Sequence, residues 1–149
     1  MGTCLFCDIQ RGLAPASGEP IYEDELVYAH HVYPDPGEGS IYLGHIMLET
    51  KRHTPDFASL TPDEAQAVGL LAALLSNALK ACTGAEKVYA VFYGEVTPHL
   101  HVILTARYPG LPKEYWRWNT LSWPDAPRGG PEEIAALCQQ LRATLAELR

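Results

Sequence analysis

Two histidines stand at alternate positions in the run Pro98-His99-Leu100-His101-Val102-Ile103-Leu104. A neutral imidazole is nucleophilic near neutral pH and can form and then release a phosphoramidate. If the run is a strand, alternation puts His99, His101 and Ile103 on one face and Leu100, Val102 and Leu104 on the other, towards a core. The bland reading is two surface histidines on a half-exposed strand, because an isolated His-x-His is a weak motif. A second cluster opens the chain, Cys4-Leu5-Phe6-Cys7. A Cys-x-x-Cys serves zinc sites and redox sites. The redox form normally follows a strand in a thioredoxin-like βαβ pattern, which is not visible here. Zinc needs two more ligands, thiolates or imidazoles in a tetrahedral set. A reduced, metal-free pair is the remaining alternative.

The elements that must position these residues can be read from turn and cap signals. Residues 3–12 form a short helical or turn segment ending at Gly12, and 13–20 form a loop. Two short β-type runs follow at 20–23 and 26–33, and the Pro/Gly-rich stretch 34–39 is a loop. Residues 41–49 read as one strand. The clearest helix covers 62–82: Thr61 is the N-cap, Pro62 fits the first turn, Glu64 completes a capping box, and Gly84 suits the stop. Residues 87–93 and 99–105 are β-rich, and a second helix covers 131–148 with Ile134, Leu137, Leu141 and Leu145 along one side. Strands cluster and do not alternate with helices, which predicts an α+β fold with an antiparallel sheet. Residues 107–130, rich in Pro, Gly and Trp, show little periodicity, and a loop that long is usually functional or packed against a partner.

The length of 149 residues fits one domain, 1–149, able to bury a single core without disulfides. A net charge of −7 argues against broad nucleic-acid or anionic-membrane binding, and leaves room for a small anionic ligand held by local donors. No apolar run of membrane length is read, and no basic run followed by an apolar stretch marks a signal peptide. With Cys82 and Cys138 in helices and Cys4 and Cys7 close in sequence, a reducing, cytoplasmic compartment is expected.

Four segments, in order, resemble the histidine triad family: Cys4-Leu5-Phe6-Cys7-Asp8-Ile9 with Gly12 and Pro15; Ile21-Tyr22-Glu23-Asp24-Glu25; Gly44-His45-Ile46-Met47-Leu48-Glu49 with Lys51-Arg52-His53; and His99 through Arg107-Tyr108. The resemblance implies an antiparallel sheet of about five strands with a long central helix and a C-terminal helix. It also implies a homodimer formed through the helix at 62–82, zinc as a structural cofactor on Cys4, Cys7, His53 and His99, and His101 as nucleophile. By the same resemblance, His45, Gly94 and His99 would border a nucleotide. The implied activity is hydrolysis or transfer at an α-phosphate through a nucleotidyl-histidine. The alternatives are a nucleotide-binding or interaction module with little turnover, and a zinc-stabilised structural protein.

The sequence also departs from the family pattern. Ile103 stands where a third histidine is usual; the more distant uridylyltransferases and dinucleotide phosphorylases carry glutamine there. Gly94-Glu95-Val96-Thr97-Pro98 replaces a Gly-Gln-Ser-type phosphate loop, so the donor serine is absent. A shifted register would make Thr97 the first member and His101 the third; the register that starts at His99 also places Arg107-Tyr108. His30 and His31, being adjacent, point to opposite faces of a strand, so at most one faces a pocket. Trp116, Trp118 and Trp123 with Tyr115 are read as packing or base-stacking aromatics, and Arg128 as solvated or anion-reaching.

Overall fold

Period-two apolar patterning builds one antiparallel sheet whose two faces have different fates. The computed structural model describes residues 4–14 and 18–149. Thr3 of the expected first segment and Pro15 of the expected 13–20 loop lie outside them. The chain runs α1 (Leu5–Gln10), β1 (Tyr22–Glu23), β2 (Val27–His31), β3 (Ile41–Tyr42), β4 (His45–Thr50), α2 (Pro62–Thr83), β5 (Lys87–Val91), β6 (His101–Arg107), β7 (Arg128–Gly129) and α3 (Pro131–Leu148). The main sheet has the order β1-β2-β4-β6-β5, and β3 pairs with β7 in a small second sheet. All pairings are antiparallel, as expected for an α+β chain.

One sheet face carries Val27, Ala29, Ile46, Leu48, Leu100, Val102 and Leu104 into a core closed by Val68, Leu71, Leu75 and Leu79 of α2 and Ile134, Leu137 and Leu141 of α3. The opposite face carries the chemistry. Register places Glu49 opposite His101, Met47 opposite Ile103 and His45 opposite Thr105.

The helix α2 starts as its sequence dictates. Thr61 Oγ1 accepts from the Glu64 amide at 3.2 Å, and Glu64 returns a carboxylate oxygen to the Thr61 amide at 2.9 Å. Glu64 also takes two hydrogen bonds from the Arg52 guanidinium, at 2.8 and 2.7 Å. The Arg52 bonds are the main reason that the Glu64 carboxyl is pulled down to about 2. This contact anchors the turn carrying His53 to the start of α2. The helix is long and apolar enough to span a bilayer by length and composition, which corrects the sequence reading that no such run exists. Its apolar stripe is occupied by the sheet and α3.

Several expected strands are trimmed at their ends, and two differ in kind, one broken and one shifted along the chain. The 41–49 run breaks at Leu43-Gly44, because Gly44 sits at φ 87° and a Cβ there would lie 2.8 Å from the Ala106 Cβ. The break lets β3 leave the main sheet and pair with β7, a pairing that the aperiodic 107–130 stretch hid. The strand of the histidines begins at His101, not His99. Pro98 precedes a bend in which the His99 amide donates to the Thr97 carbonyl at 2.8 Å, and Leu100 then donates to the Thr54 carbonyl at 2.7 Å. Residues 107–130 are ordered by two short 3-10 turns, Lys113–Tyr115 and Arg117–Ser122. Trp116 anchors them under the Arg107 guanidinium, 4.5 Å from its ring, and donates to the Leu111 carbonyl at 3.1 Å. Trp123, the third tryptophan, caps the second turn.

Candidate active site and metal cluster

The bend before β6 separates the tasks of its two histidines. His99 is fully buried and directs Nδ1 at the α1 cysteines, 3.4 Å from Cys4 Sγ and 3.5 Å from Cys7 Sγ. His53 Nδ1 lies 3.5 Å from Cys7 Sγ. All four ligand atoms fall within 4.8 Å of one another. In a tetrahedral zinc site with Zn–S about 2.3 Å and Zn–N about 2.05 Å, the S···N edge is about 3.6 Å. The donor set therefore fits a four-coordinate metal in types, number and spacing.

The surroundings favour the ligating forms. His99 Nε2 donates to the Thr50 carbonyl at 2.7 Å, which leaves Nδ1 as the lone-pair nitrogen. Burial lowers the His99 pKa and keeps the ring neutral. Burial first, then the Cys4 thiol, raises the Cys7 thiol, so a cation is what would draw its proton off.

His101 is held differently. Its Nδ1 donates to the His99 carbonyl at 2.7 Å, so Nε2 keeps its lone pair. The ring stacks on Phe6 of α1 with centroids 4.3 Å apart and meets Phe92 edge-on at 5.7 Å. Phe92 in turn lies over Gly94, where φ is 69° and a Cβ would sit 2.4 Å from the ring. Gly94 thus lets its loop pass close beside Phe92 and His101, and Val96 in that loop is almost wholly exposed.

Sequence reading missed a buried polar network beneath this face. Glu49 is fully buried, accepts from the Gln10 amide at 2.7 Å, and contacts His30 Nε2 at 2.6 Å. Gln10 also donates to the Thr50 carbonyl at 3.0 Å. The available signal was a glutamate ending the apolar run Ile46-Met47-Leu48.

His45 lies on the same face as His101, but at the far end of the register. Opposite Thr105, it is four residues along β6 from His101, roughly 13 Å at strand rise. Its Nδ1 pairs with Thr105 Oγ1 at 3.0 Å. Together with Tyr89, Ile103 and Trp118 it lines a cleft of about 390 Å³ under the 3-10 turns. His30 and His31 take opposite faces as expected. His31 Nδ1 donates to the Val32 carbonyl at 2.5 Å, and Nε2 accepts from the Gly44 amide at 2.9 Å. Arg128 is exposed, as expected of a solvated arginine, and donates to the Ser40 carbonyl at 2.9 Å.

Burial, with small help from neighbouring imidazoles, pushes His31 and His45 down to about 4. Both bind protons more weakly folded than unfolded. Their stabilisation is complete above the unfolded value near 6.5 and is lost as pH falls towards about 4. Each contributes at most about 3 kcal/mol on this scale. Metal-free protein should therefore lose stability in denaturant titrations between pH 7 and pH 4, with a shallower loss in His31→Gln and in His45→Gln. An acid slope unchanged in both variants would remove these imidazoles as its cause.

No protein-family model and no curated protein sequence matches the chain. Solved structures do. A hypothetical histidine triad nucleotide-binding protein from Sulfolobus tokodaii is similar at TM-score 0.71 and 24% identity, over 97% of this chain and 93% of that one. A zinc-bound histidine triad family protein from Mycobacterium smegmatis is similar at TM-score 0.68 and 24% identity, over 98% and 95%. A Hit-like protein involved in cell-cycle regulation from Bartonella henselae, with an unknown ligand, is similar at TM-score 0.69 and 17% identity, over 95% and 96%. With the five-stranded order, the helical layer and the histidine strand already in place, the likeness over nearly the whole length settles the architecture: the chain has the histidine triad fold.

Proposed function

We propose that the chain is a nucleotide phosphate hydrolase or nucleotidyl transferase that works through His101. The observation that carries this reading is the 2.7 Å bond from His101 Nδ1 to the His99 carbonyl, which presents Nε2 as the nucleophile. The Nε2 lone pair attacks an α-phosphate, the bond to the leaving group breaks, and the leaving group departs with that electron pair. The imidazolium so formed keeps its Nδ1 proton on the His99 carbonyl. Water or another acceptor then attacks phosphorus and breaks the P–N bond. Gly94, through the backbone of its loop, and His99, through the carbonyl that orients His101, border the phosphate; His45 lies further along the same face.

Turnover is expected to be slow. One missing oxyanion donor typically lowers rates by about a hundredfold to a thousandfold. Ile103 and Val96 stand where two donors are usual. That favours, as second reading, a nucleotide-binding module with little turnover. Hydrolysis of an adenosine phosphoramidate and of a dinucleoside polyphosphate should vanish in His101→Ala and rise in Ile103→His. Wild-type rates persisting in His101→Ala would refute the nucleophile.

The metal in this reading is zinc, held by Cys4, Cys7, His53 and His99. It would be structural, since four protein ligands leave no open position. The likeness to a zinc-bound fold relative and the fit of the cluster support it. Protein purified without chelator should contain about one zinc per chain. Cys4→Ser with Cys7→Ser should remove the zinc and lower the melting temperature. Undiminished zinc in the double variant would refute the ligand set. The unpaired thiols fit a reducing compartment such as the cytoplasm.

A homodimer completes the reading. The strand β5 is a sheet edge, and an apolar groove lined by Phe57, Val68, Gly69, Ala72 and Phe92 runs between it and α2, with Phe57 exposed. Two-fold pairing along this groove would cover it. Sedimentation at micromolar concentration should give a dimer, weakened by Phe57→Glu; a monomer would exclude the pairing.

A further inference from the structure

The cleft under the 3-10 turns is built like a ligand site, although the nucleophile is not part of it. Its volume of about 390 Å³ falls within the roughly 300–1,000 Å³ of small-molecule pockets. Its floor is His45, Ile103 and Thr105, and its walls include Tyr89 and Tyr93. Trp118, 74% exposed, stands at the rim beside Arg117. Such a lining, aromatic with a few placed polar groups, suits a flat ring.

Three further observations point to an occupant. His45 is 91% buried, its Nδ1 is taken by Thr105, and no hydrogen bond to Nε2 is found among the described residues, so this nitrogen is left to the cleft. Arg117 has φ 65°, the only non-glycine positive φ among the described residues. Strain of that kind persists where surrounding structure enforces it and is concentrated at ligand clamps. The guanidinium forms none of the ion pairs found among the described residues and lies 5.8 Å from the Trp118 ring centroid. It is a cation without a carboxylate in a chain of net charge −7.

The cleft is also continuous with the reaction centre. Ile103 is the next residue after His101 on the same strand face, roughly 7 Å further along β6. This gives Ile103 a role: it is the apolar member of a floor otherwise made by His45 and Thr105.

We propose that this cleft is a leaving-group site for a planar aromatic ring bearing an anionic substituent, with the ring between Tyr89, Tyr93 and Trp118 and the anion on Arg117. Its use during turnover rests on His101 being the nucleophile; its binding of the free aromatic anion does not. In the reaction, the P–N bond to His101 forms as the P–O bond to the ring breaks. The aryl oxygen leaves with that electron pair and takes a proton from water. The subsequent attack of water on phosphorus frees His101.

The probe is 6-hydroxy-2-naphthoate, titrated calorimetrically into the full chain, with uncharged 2-naphthol as comparison. The naphthoate should bind with Kd below about 1 mM. Trp118→Ala should weaken both compounds about tenfold, the scale of one stacking contact. Arg117→Gln should weaken the naphthoate and leave 2-naphthol unchanged. Both side chains are exposed, so the variants keep the fold. In turnover of the adenosine 5′-phosphate ester of the same naphthoate, Trp118→Ala should raise KM more than it lowers kcat. It should leave the methylamine phosphoramidate of adenosine unaffected. Absence of saturable naphthoate binding, or binding indifferent to both substitutions, overturns the cleft assignment. Ester turnover that survives in His101→Ala, with the binding pattern intact, overturns the nucleophile and leaves the cleft standing.

Discussion

The carbonyl oxygen of Thr50 accepts two hydrogen bonds, from His99 Nε2 at 2.7 Å and from the Gln10 amide at 3.0 Å, and the site is organised around it. The first bond selects the His99 tautomer that turns Nδ1 towards Cys4 and Cys7. The second fastens α1, which contains Cys7 and begins just after Cys4, to the end of β4. Because His99 is fixed, its own carbonyl is fixed, and that carbonyl orients His101. A change of ring orientation at His99 would therefore disturb the thiol cluster and His101 together. Phe6, lying between the two cysteines in sequence, extends the same coupling by stacking on His101.

The Glu49 network beside this carbonyl is a buried polar group with its needs met. A carboxylate with no exposure is tolerated only when hydrogen-bonded or paired. Gln10 and His30 supply those partners from α1 and β2. The result is a polar seam on the side of the sheet that faces α1, while the other side is apolar and closed by α2 and α3. Keeping charge and chemistry on one face lets the core be packed by ordinary hydrophobic contacts, without compromise for the site.

Along β6 the same face changes character from one alternate position to the next. His101 meets aromatic rings and backbone carbonyls, whereas Ile103 and Thr105 floor a cleft roofed by residues 117–121. With isoleucine at position 103, this face is apolar between His101 and Thr105. The 3-10 turns that roof it are held by Trp116 on Arg107, so the cleft is tied to the strand that also presents His101.

Much of this was legible in the sequence, because the signals are local. Thr61, Pro62 and Glu64 specify the start of α2 through bonds spanning three residues, and the apolar stripe of α3 follows from helical period alone. The alternation of Val102 and Leu104 with His101 and Ile103 assigns the two faces of β6, and the family resemblance singled out Cys4, Cys7, His53 and His99, which the fold gathers into one cluster. What the sequence could not determine depends on contacts between distant residues. The end of β3 depends on Gly44 meeting Ala106, 62 positions away. The start of β6 depends on Leu100 bonding Thr54. The pairing of Gln10 with Glu49, and the folding of 107–130 over Ile103, leave no periodic trace. Local geometry and period are written in neighbouring residues, whereas the partners of buried polar groups and the walls of a cleft exist only once the chain has brought remote segments together.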